Sequence, residues 1–314
     1  MAIPDHYTTQ WGKNFTAVSQ QMQSRFRKAA MVETGCTGEA KTHNLVQSIE
    51  DNETTGDRYG RVVLRDLDTE KRWIRPRMFD NSTSEPKWDE ELLAPTILPG
   101  GKHLEAHTAA YARRLDRVFV DALLGDNYKG KAGTTVTNIP AANNVAIDFV
   151  SSGSATSSSL TIDKIIQGIG ILQDNESYGD DAESRGISLW GAMTPLMERT
   201  LLWAANAATG NRLFSKDFMP PVLDEKGRIK FFLGVNWIRS SQLPYDTPTA
   251  SGAAARYAAL WTSDAMYLDF WQEQQSYVDI LPEAKRAVLY FSQYAFNGVR
   301  SEDLKVVKIA CTPT

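Results

Sequence analysis

The feature that most constrains this chain is a long amphipathic pattern that runs from His103 to Leu124. Side chains on one face recur at steps of three and four residues, and charged residues fill the other face. The positions on the first face are Thr108, Tyr111, Ala112, Leu115, Val118, Phe119, Ala122 and Leu123. The pattern predicts one helix, ~30 Å long at 1.5 Å per residue. Pro99 should limit it upstream, and Gly125 should end it in a left-handed C-cap.

Composition narrows the classes of protein that this helix could belong to. The 314 residues are 42% hydrophobic and 23% charged, with a net charge of -4. These values are ordinary for a folded chain and argue against a dedicated nucleic-acid binder, which usually has a basic excess. Because no apolar run approaches the ~20 residues of a membrane span, and no signal-peptide pattern is present, we expect synthesis in the cytoplasm. Cys36 and Cys311 are then expected as reduced thiols, with one disulfide as the alternative.

The region before the long helix is expected to hold an arm and a hairpin. Helical spacing predicts a short amphipathic helix on Phe15, Val18, Met22 and Phe26. Between Asp57 and Phe79, strand-forming residues alternate with many charges, which predicts a hairpin of residues 58–67 paired with residues 71–79. An isolated hairpin is marginally stable in water. We therefore expect it to lie against the body of the chain or against a neighbouring chain, with a solvated surface hairpin as the alternative.

After the long helix, the pattern predicts a mixture of helices and strands without a regular βαβ repeat, which is an α+β chain. Apolar spacing predicts a second amphipathic helix from Ile162 to Leu172, and Thr194-Pro195 is typical of a helix start. A short helix is predicted over residues 263–269. The predicted strands are residues 187–190, 230–238, 257–261, 286–296 and 304–311. Asn297-Gly298 is a strong turn signal and should join the last two.

Residues that could carry chemistry are few. His103 and His107 lie one helical turn apart and could share a metal, but Leu104 stands where zinc proteases have their glutamate. Asp180, Asp181 and Glu183 could hold a cation, although solvated surface charge is the simpler interpretation. The sequence contains no complete dinucleotide-binding loop, P-loop or nucleophile elbow. We therefore predict no catalytic residue, no metal site and no cofactor.

Three segments carry a resemblance to a known family. They are Pro99-Gly100-Gly101 with the helix that follows it to Gly125, the segment from Gly234 to Pro244 (GVNWIRSSQLP), and the segment from Phe296 to Val307 (FNGVRSEDLKVV). Together they resemble the major capsid proteins of tailed bacteriophages, which have the Johnson, or Hong Kong 97-type, fold. The resemblance implies an N-terminal arm (1–50), an extended loop (51–98), a peripheral domain (99–185) with a spine helix at 103–124, an axial domain (186–285) and return strands of the peripheral domain (286–314).

The resemblance also implies a function and its partners. The chain is expected to be a coat protein that self-assembles as hexamers and pentamers into the icosahedral virion head around double-stranded DNA. Expected partners are further copies of the chain, a separate scaffolding protein, a portal protein, a cement or decoration protein, and packaged DNA contacted without sequence specificity. The candidate intersubunit contacts are Arg58, Arg61, Arg65, Arg72, Trp73, Arg75 and Trp88.

Three alternatives stay open from the sequence. The first is an encapsulin-like bacterial compartment shell, which would share the fold. The second is a cytosolic α+β hydrolase that uses His103, His107 or the loop at residues 180–183. The third is another virion part, such as a tail or portal component.

Overall fold

The computed structural model describes residues 20–47, 66–85, 100–206, 221–246 and 254–313. Its α-helices are α1 (Gly100–Leu124), α2 (Ile162–Asp174), α3 (Asp180–Ser184) and α4 (Pro195–Asn206). Single turns of 3-10 helix occur at Arg27–Ala29, Ala141–Asn143 and Asp303–Lys305. None of the helices in these ranges is long and apolar enough to cross a membrane.

The strands form three sheets in the described part of the chain. They are β1 (Met31–Thr34), β2 (Lys41–Val46), β3 (Thr69–Ile74), β4 (Arg77–Glu85), β5 (Asn127–Lys129), β6 (Thr135–Thr137), β7 (Asn144–Val145), β8 (Leu189–Met193), β9 (Val222–Leu223), β10 (Ile229–Phe232), β11 (Val235–Arg239), β12 (Tyr245–Asp246), β13 (Ala255–Thr262), β14 (Met266–Leu281), β15 (Ala287–Arg300) and β16 (Val306–Cys311). The first sheet has the order β1-β14-β15-β4, and the third has the order β2-β3-β5-β6. The second has the order β7-β16-β13-β8-β11-β10-β9, with β12 paired to β13.

The long helix α1 packs on the first sheet and confirms the strongest prediction from the sequence. It starts at Gly100, slightly earlier than expected, and ends at Leu124. Leu115 and Phe119 on its apolar face are fully buried, and the Phe119 ring stacks on Phe26 with 5.0 Å between ring centroids. The spacing of apolar residues therefore predicted both the helix and its buried face.

The left-handed C-cap predicted at Gly125 is wrong. Gly125 is absent from the residues with positive φ in the described chain. Its N–H continues the helical pattern and donates to the Asp121 carbonyl at 2.8 Å. A Cβ at this position would lie 2.4 Å from that same oxygen, so close approach of backbone, rather than a left-handed conformation, explains the glycine.

The second sheet carries α2 and α4, both predicted from the sequence. The Thr161 hydroxyl accepts a hydrogen bond from Lys164 N–H and caps α2. The Thr194 hydroxyl accepts one from Met197 N–H at 3.2 Å and caps α4. Helix α2 lies close to the sheet, because a Cβ at Gly168 would be 2.8 Å from Leu260 Cδ1. These local signals worked because a cap needs only neighbouring residues.

The predicted hairpin of residues 58–67 with residues 71–79 is wrong in its pairing. Strand β3 is hydrogen-bonded on one edge to β2, with His43 opposite Arg72, and on the other edge to β5. The chain then passes Pro76, which lacks the N–H that a continuous strand would need, and β4 joins the first sheet opposite β15. Residues 58–65 lie outside the described ranges.

Three other expectations are corrected. Residues 263–269 form a turn followed by the start of β14, not a helix. Residues 20–26, the described part of the predicted N-terminal helix, are not helical, although Phe26 is buried as an apolar anchor; Phe15 and Val18 lie outside the described residues. Asn297-Gly298 lies inside β15, where Asn297 pairs with Asp269 and Gly298 with Leu268. The glycine is needed for packing: a Cβ there would lie 3.1 Å from the Ala122 Cβ of α1.

We expect Gly298→Val to destabilise the chain by about 1–3 kcal/mol, because the new side chain would overpack the contact between α1 and β15. Urea unfolding of the unassembled chain measures this. The control is Gly170→Ala, since a Cβ at Gly170 meets nothing within 4 Å. That change should be neutral or stabilise α2 by up to about 1 kcal/mol. Equal unfolding midpoints for wild type and Gly298→Val would contradict the close-packing explanation.

Candidate assembly surface

The root of the β2–β3 hairpin is fixed by a buried cluster of charges. Arg72 on β3 is only 3% exposed, and its Nη2 lies 2.9 Å from Asp303 Oδ2 and 3.0 Å from Glu70 Oε1. The Thr137 hydroxyl donates to the same Asp303 oxygen at 2.7 Å. Arg300 Nε donates to the other carboxylate oxygen at 2.9 Å. Both oxygens of one carboxylate are therefore paired, which is what a buried charge requires.

Arg300 extends this cluster to the end of α1. Its Nη1 donates to the carbonyls of Ala122, Leu123 and Gly125 at 3.1, 3.0 and 2.6 Å. The last carbonyls of a helix lack partners within the helix and carry a partial negative charge. The Arg300 guanidinium at this end donates hydrogen bonds to these carbonyls and places a positive charge beside their partial negative charge. It also ties the helix to the end of β15.

The cluster shifts the ionisation of Asp303. Burial by itself raises the pKa of the carboxyl. The hydrogen bond from Thr137 and the guanidinium charges of Arg300 and Arg72 lower the pKa by more than burial raises it, so that the net pKa lies below its ordinary value. The carboxylate is therefore held ionised, and the charge balance of the cluster does not change near neutral pH.

The two histidines of α1 pack the helix onto the first sheet. His103 Nε2 lies 2.9 Å from Glu85 Oε1, and its ring stacks on Tyr290 with 5.0 Å between centroids. His107 Nε2 lies 3.1 Å from the Thr83 hydroxyl, and burial lowers the pKa of His107. Among the described residues, neither histidine belongs to a group of three or more side chains that could hold a metal. They therefore join helix to sheet.

An uncovered apolar strip lies at the outer end of the first sheet. Val278 and Ile280 alternate along β14 and so share one face, and they are 60% and 51% exposed. Strand β1 pairs with β14 only as far as Phe270. In the described ranges, the outer part of β14 therefore has β15 on one edge and no strand on the other. Exposed apolar side chains beside an open strand edge are typical of a surface for another chain.

The residues predicted to contact other subunits differ in their burial and in whether the structure describes them. Arg72 is buried and paired within its own chain. Trp73 is half-buried, its Nε1 donates to the Gly130 carbonyl at 2.6 Å, and its ring lies against Gly133. Arg75 is exposed. The remaining candidates, Arg58, Arg61, Arg65 and Trp88, lie outside the described residues. The sequence reasoning missed the strip of Val278 and Ile280, although their alternation with Asp279 was a readable signal.

Solved structures with the same fold come from phage capsids. The chain matches "Cyanophage Pam1 capsid asymmetric unit" with a TM-score of 0.67 at 13% identity, covering 99% of this chain and 98% of that one. It matches "Capsid of Ralstonia phage GP4" with a TM-score of 0.64 at 12% identity, covering 98% and 95%. It matches "The head structure of Helicobacter pylori bacteriophage KHP40" with a TM-score of 0.65 at 12% identity, covering 98% and 95%. The fold is therefore the α+β, Hong Kong 97-like fold of phage capsids.

The family follows from the sequence itself. Residues 3–313 match the model of the family described as "Phage capsid protein", so the chain belongs to that family. No curated protein sequence matches the chain. The chain is therefore a phage capsid protein of the virion shell, and the coat-protein function expected from the resemblance is confirmed. The bacterial-compartment and hydrolase alternatives are not favoured.

We expect Asp303→Asn to destabilise the unassembled chain by about 3–5 kcal/mol at neutral pH, because it leaves two buried guanidiniums without their shared carboxylate. The folded pKa of Asp303 is below its ordinary value of 3.8. Its stabilising contribution is therefore complete above that value, and it is lost as the pH falls through the folded pKa.

The unfolding free energies of wild type and variant, followed from neutral pH into acid, should consequently converge at low pH. The control is Asp279→Asn, which changes an exposed carboxylate on β14 and should leave the profile unchanged. A constant difference between wild type and Asp303→Asn at every pH would show that the carboxylate charge is not what stabilises the cluster.

Proposed function

We propose that this capsid protein assembles with copies of itself, as hexamers and pentamers, into an icosahedral head shell that encloses double-stranded DNA, and that it catalyses no reaction. The observation that carries the proposal is the uncovered strip of Val278 and Ile280 on β14. A shell subunit must offer surface to its neighbours in several related environments. An apolar strip beside an open strand edge supplies such a surface without a fold change.

The outer end of the first sheet is our first contact surface. It combines the apolar strip with exposed charges of both signs, Asp279 on β14 and Glu283, Lys285 and Arg286 at the turn between β14 and β15. Such a mixture favours contacts that depend on orientation, since like charges facing one another are unfavourable. The occupant that we propose is a second copy of the chain.

The extended loop is our second contact surface. Residues 51–98 would carry it, with Arg58, Arg61, Arg65, Arg75 and Trp88 as contact residues. Arg75 supports this proposal because it is exposed at the hairpin root. Trp73 would position the residues around it and would not itself touch another subunit, since its ring packs within its own chain. Exposed ion pairs are worth only ~0–1 kcal/mol each, so we infer that these charges set orientation more than strength.

We also propose a division into domains. Helix α1 with β14 and β15 would form the peripheral domain, the second sheet would form the axial domain, and residues 1–50 would form the arm, whose strand β1 pairs with β14. The divisions at 99–185, 186–285 and 286–314 would then interleave along the chain, because β14 runs beside α1. This layout places the uncovered strip in the peripheral domain.

The partners that we propose beyond the shell are a separate scaffolding protein, a portal protein, a cement or decoration protein, and packaged DNA. The net charge of -4 supports weak DNA contact without sequence specificity. A shell interior of this kind would confine the genome without binding it tightly.

We expect closed particles when the untagged chain is produced alone or with the other head proteins of its phage. Negative-stain electron microscopy and light scattering detect them. The same purified material should show no hydrolase turnover. A chain that stays monomeric under all these conditions would contradict the assembly proposal, and rings or tubes would indicate a different virion part.

We expect the double change Val278→Ser with Ile280→Ser to prevent particle formation, because it removes the apolar strip while leaving the strand backbone intact. Near-ultraviolet circular dichroism and the unfolding midpoint of the unassembled chain should stay close to wild type. The matched control exchanges the two side chains, Val278→Ile with Ile280→Val, and should still assemble. Normal particles from the double serine variant would exclude the strip as an assembly contact.

A further inference from the structure

Three potential metal ligands meet where the first and third sheets come together. Glu33 lies on β1, His43 on β2 and Asp269 on β14, and one ligand atom from each lies within 4.8 Å of the others. Ligands that each lie ~2.0–2.2 Å from one tetrahedral ion are about 3.3–3.6 Å apart, so modest side-chain movement would bring these three atoms to ligand distances. Three separate strands contribute, so the fold, rather than one local motif, builds the group.

The imidazole and the buried carboxylate are already oriented. His43 Nε2 lies 2.7 Å from Asp269 Oδ2, and the imidazole stacks on the Tyr267 ring with 4.1 Å between centroids. The Asp269 side chain is 0% exposed and that of His43 is 10% exposed. A stacked imidazole loses little freedom when it binds a metal, which is what a prepared site requires.

An ammonium group shows that the group of ligands accepts a cation. Lys41 Nζ lies 3.2 Å from Asp269 Oδ1 and contacts Glu33 Oε2, and it is 3.5 Å from Cys36 Sγ. The group sets two carboxyl groups against one ammonium, so acidic groups outnumber basic side chains of lysine type at this position. The Lys41 side chain is 24% exposed. Its flexible stem can turn towards water, so that the ammonium leaves the carboxylates and a metal ion can take its place.

We propose that Glu33, His43 and Asp269 form a binding site for a divalent transition metal of the zinc type, with Lys41 as the group that the metal displaces. One nitrogen and two oxygen ligands suit Zn²⁺, and water can take the fourth position. The metal would join β1 and β14 to β2. It would therefore clamp the root of the β2–β3 hairpin to the body of the chain. This proposal does not depend on how the shell assembles.

The chain contains an internal comparison for this site. His103, Glu85 and Tyr290 repeat the arrangement of a histidine that pairs with a carboxylate and stacks on a tyrosine. Within the described residues, no third ligand joins that pair. A change at His103 should thus remove a similar pairing and stacking interaction without touching the metal site.

The test is Zn²⁺ binding to the untagged, full-length, unassembled chain at neutral pH, measured by calorimetry and by equilibrium dialysis. We expect one saturable site per chain in wild type. His43→Gln and Glu33→Gln should each weaken binding by about tenfold or more, because losing a ligand should cost at least as much affinity as losing a residue that only orients a ligand. His103→Gln should bind like wild type, and Lys41→Gln should bind more tightly because the competing ammonium is gone.

The unfolding midpoint gives an independent readout. Zn²⁺ should raise the midpoint of wild type, His103→Gln and Lys41→Gln, and it should leave that of His43→Gln unchanged. Glu33 is exposed on its strand, so Glu33→Gln should fold. This variant therefore tests the site even if the change at the more buried His43 disturbs the fold. Absence of saturable binding in wild type, or equal affinity in His43→Gln and His103→Gln, would overturn the proposal. Weaker binding in Lys41→Gln would overturn the displacement step.

Discussion

The rest of the fold depends on one buried guanidinium, that of Arg300. Its side chain is fully buried at the end of β15, where it donates to three carbonyls at the end of α1 and to the carboxylate of Asp303. Without these partners, a charge in the interior would cost several kcal/mol. With them, the arginine joins the longest helix of the described chain, one of its longest strands and the third sheet, which reaches the same carboxylate through Arg72.

This arrangement explains how a protein with exposed, partly unsupported strands can keep a defined body. The helix approaches β15 closely because Gly298 leaves room for Ala122. Behind that contact, Phe26, Phe119 and Trp261 form a buried aromatic group that joins the segment before β1 to α1 and β13. The buried side chains lie in this body, whereas Val278 and Ile280 at the outer end of β14 stay exposed.

The features predicted correctly from the sequence are those with local causes. Helices α1, α2 and α4 follow from apolar spacing and from caps such as Thr161 and Thr194, which act within one turn. Two of the errors, the pairing of β3 and the turn at Asn297-Gly298, have non-local causes. The partner of β3 is β2, and nothing in residues 71–79 encodes that choice. Asn297-Gly298 has the composition of a turn, but the glycine serves packing against a helix more than 170 residues away in the chain.

The same distinction applies to the candidate contact residues. Arg72 and Arg75 look alike in the sequence, since each is a basic residue beside a strand. Arg72 is buried and pairs with Asp303, which comes from a distant part of the chain and is itself bonded by Thr137, whereas Arg75 is exposed. Charge is visible in the sequence, whereas burial depends on the tertiary neighbours. The group of Glu33, His43 and Asp269 was missed for that reason, because three strands bring it together.

A shell requires contacts that are individually weak and collectively strong. At roughly 25 cal/mol per Å², burying about 100 Å² of apolar surface contributes ~2.5 kcal/mol, which is comparable to the cost of ordering a few side chains. In the assembly that we propose, the strip of Val278 and Ile280 would therefore give a reversible contact between two subunits, so that a misplaced subunit could leave. Repetition of the contact around a closed shell then makes the whole assembly stable, because a subunit with all its neighbours must break every contact at once. The hydrogen bonds of Arg300 to α1 and to Asp303 fix the other end of β15, the strand that pairs with β14 beside this strip.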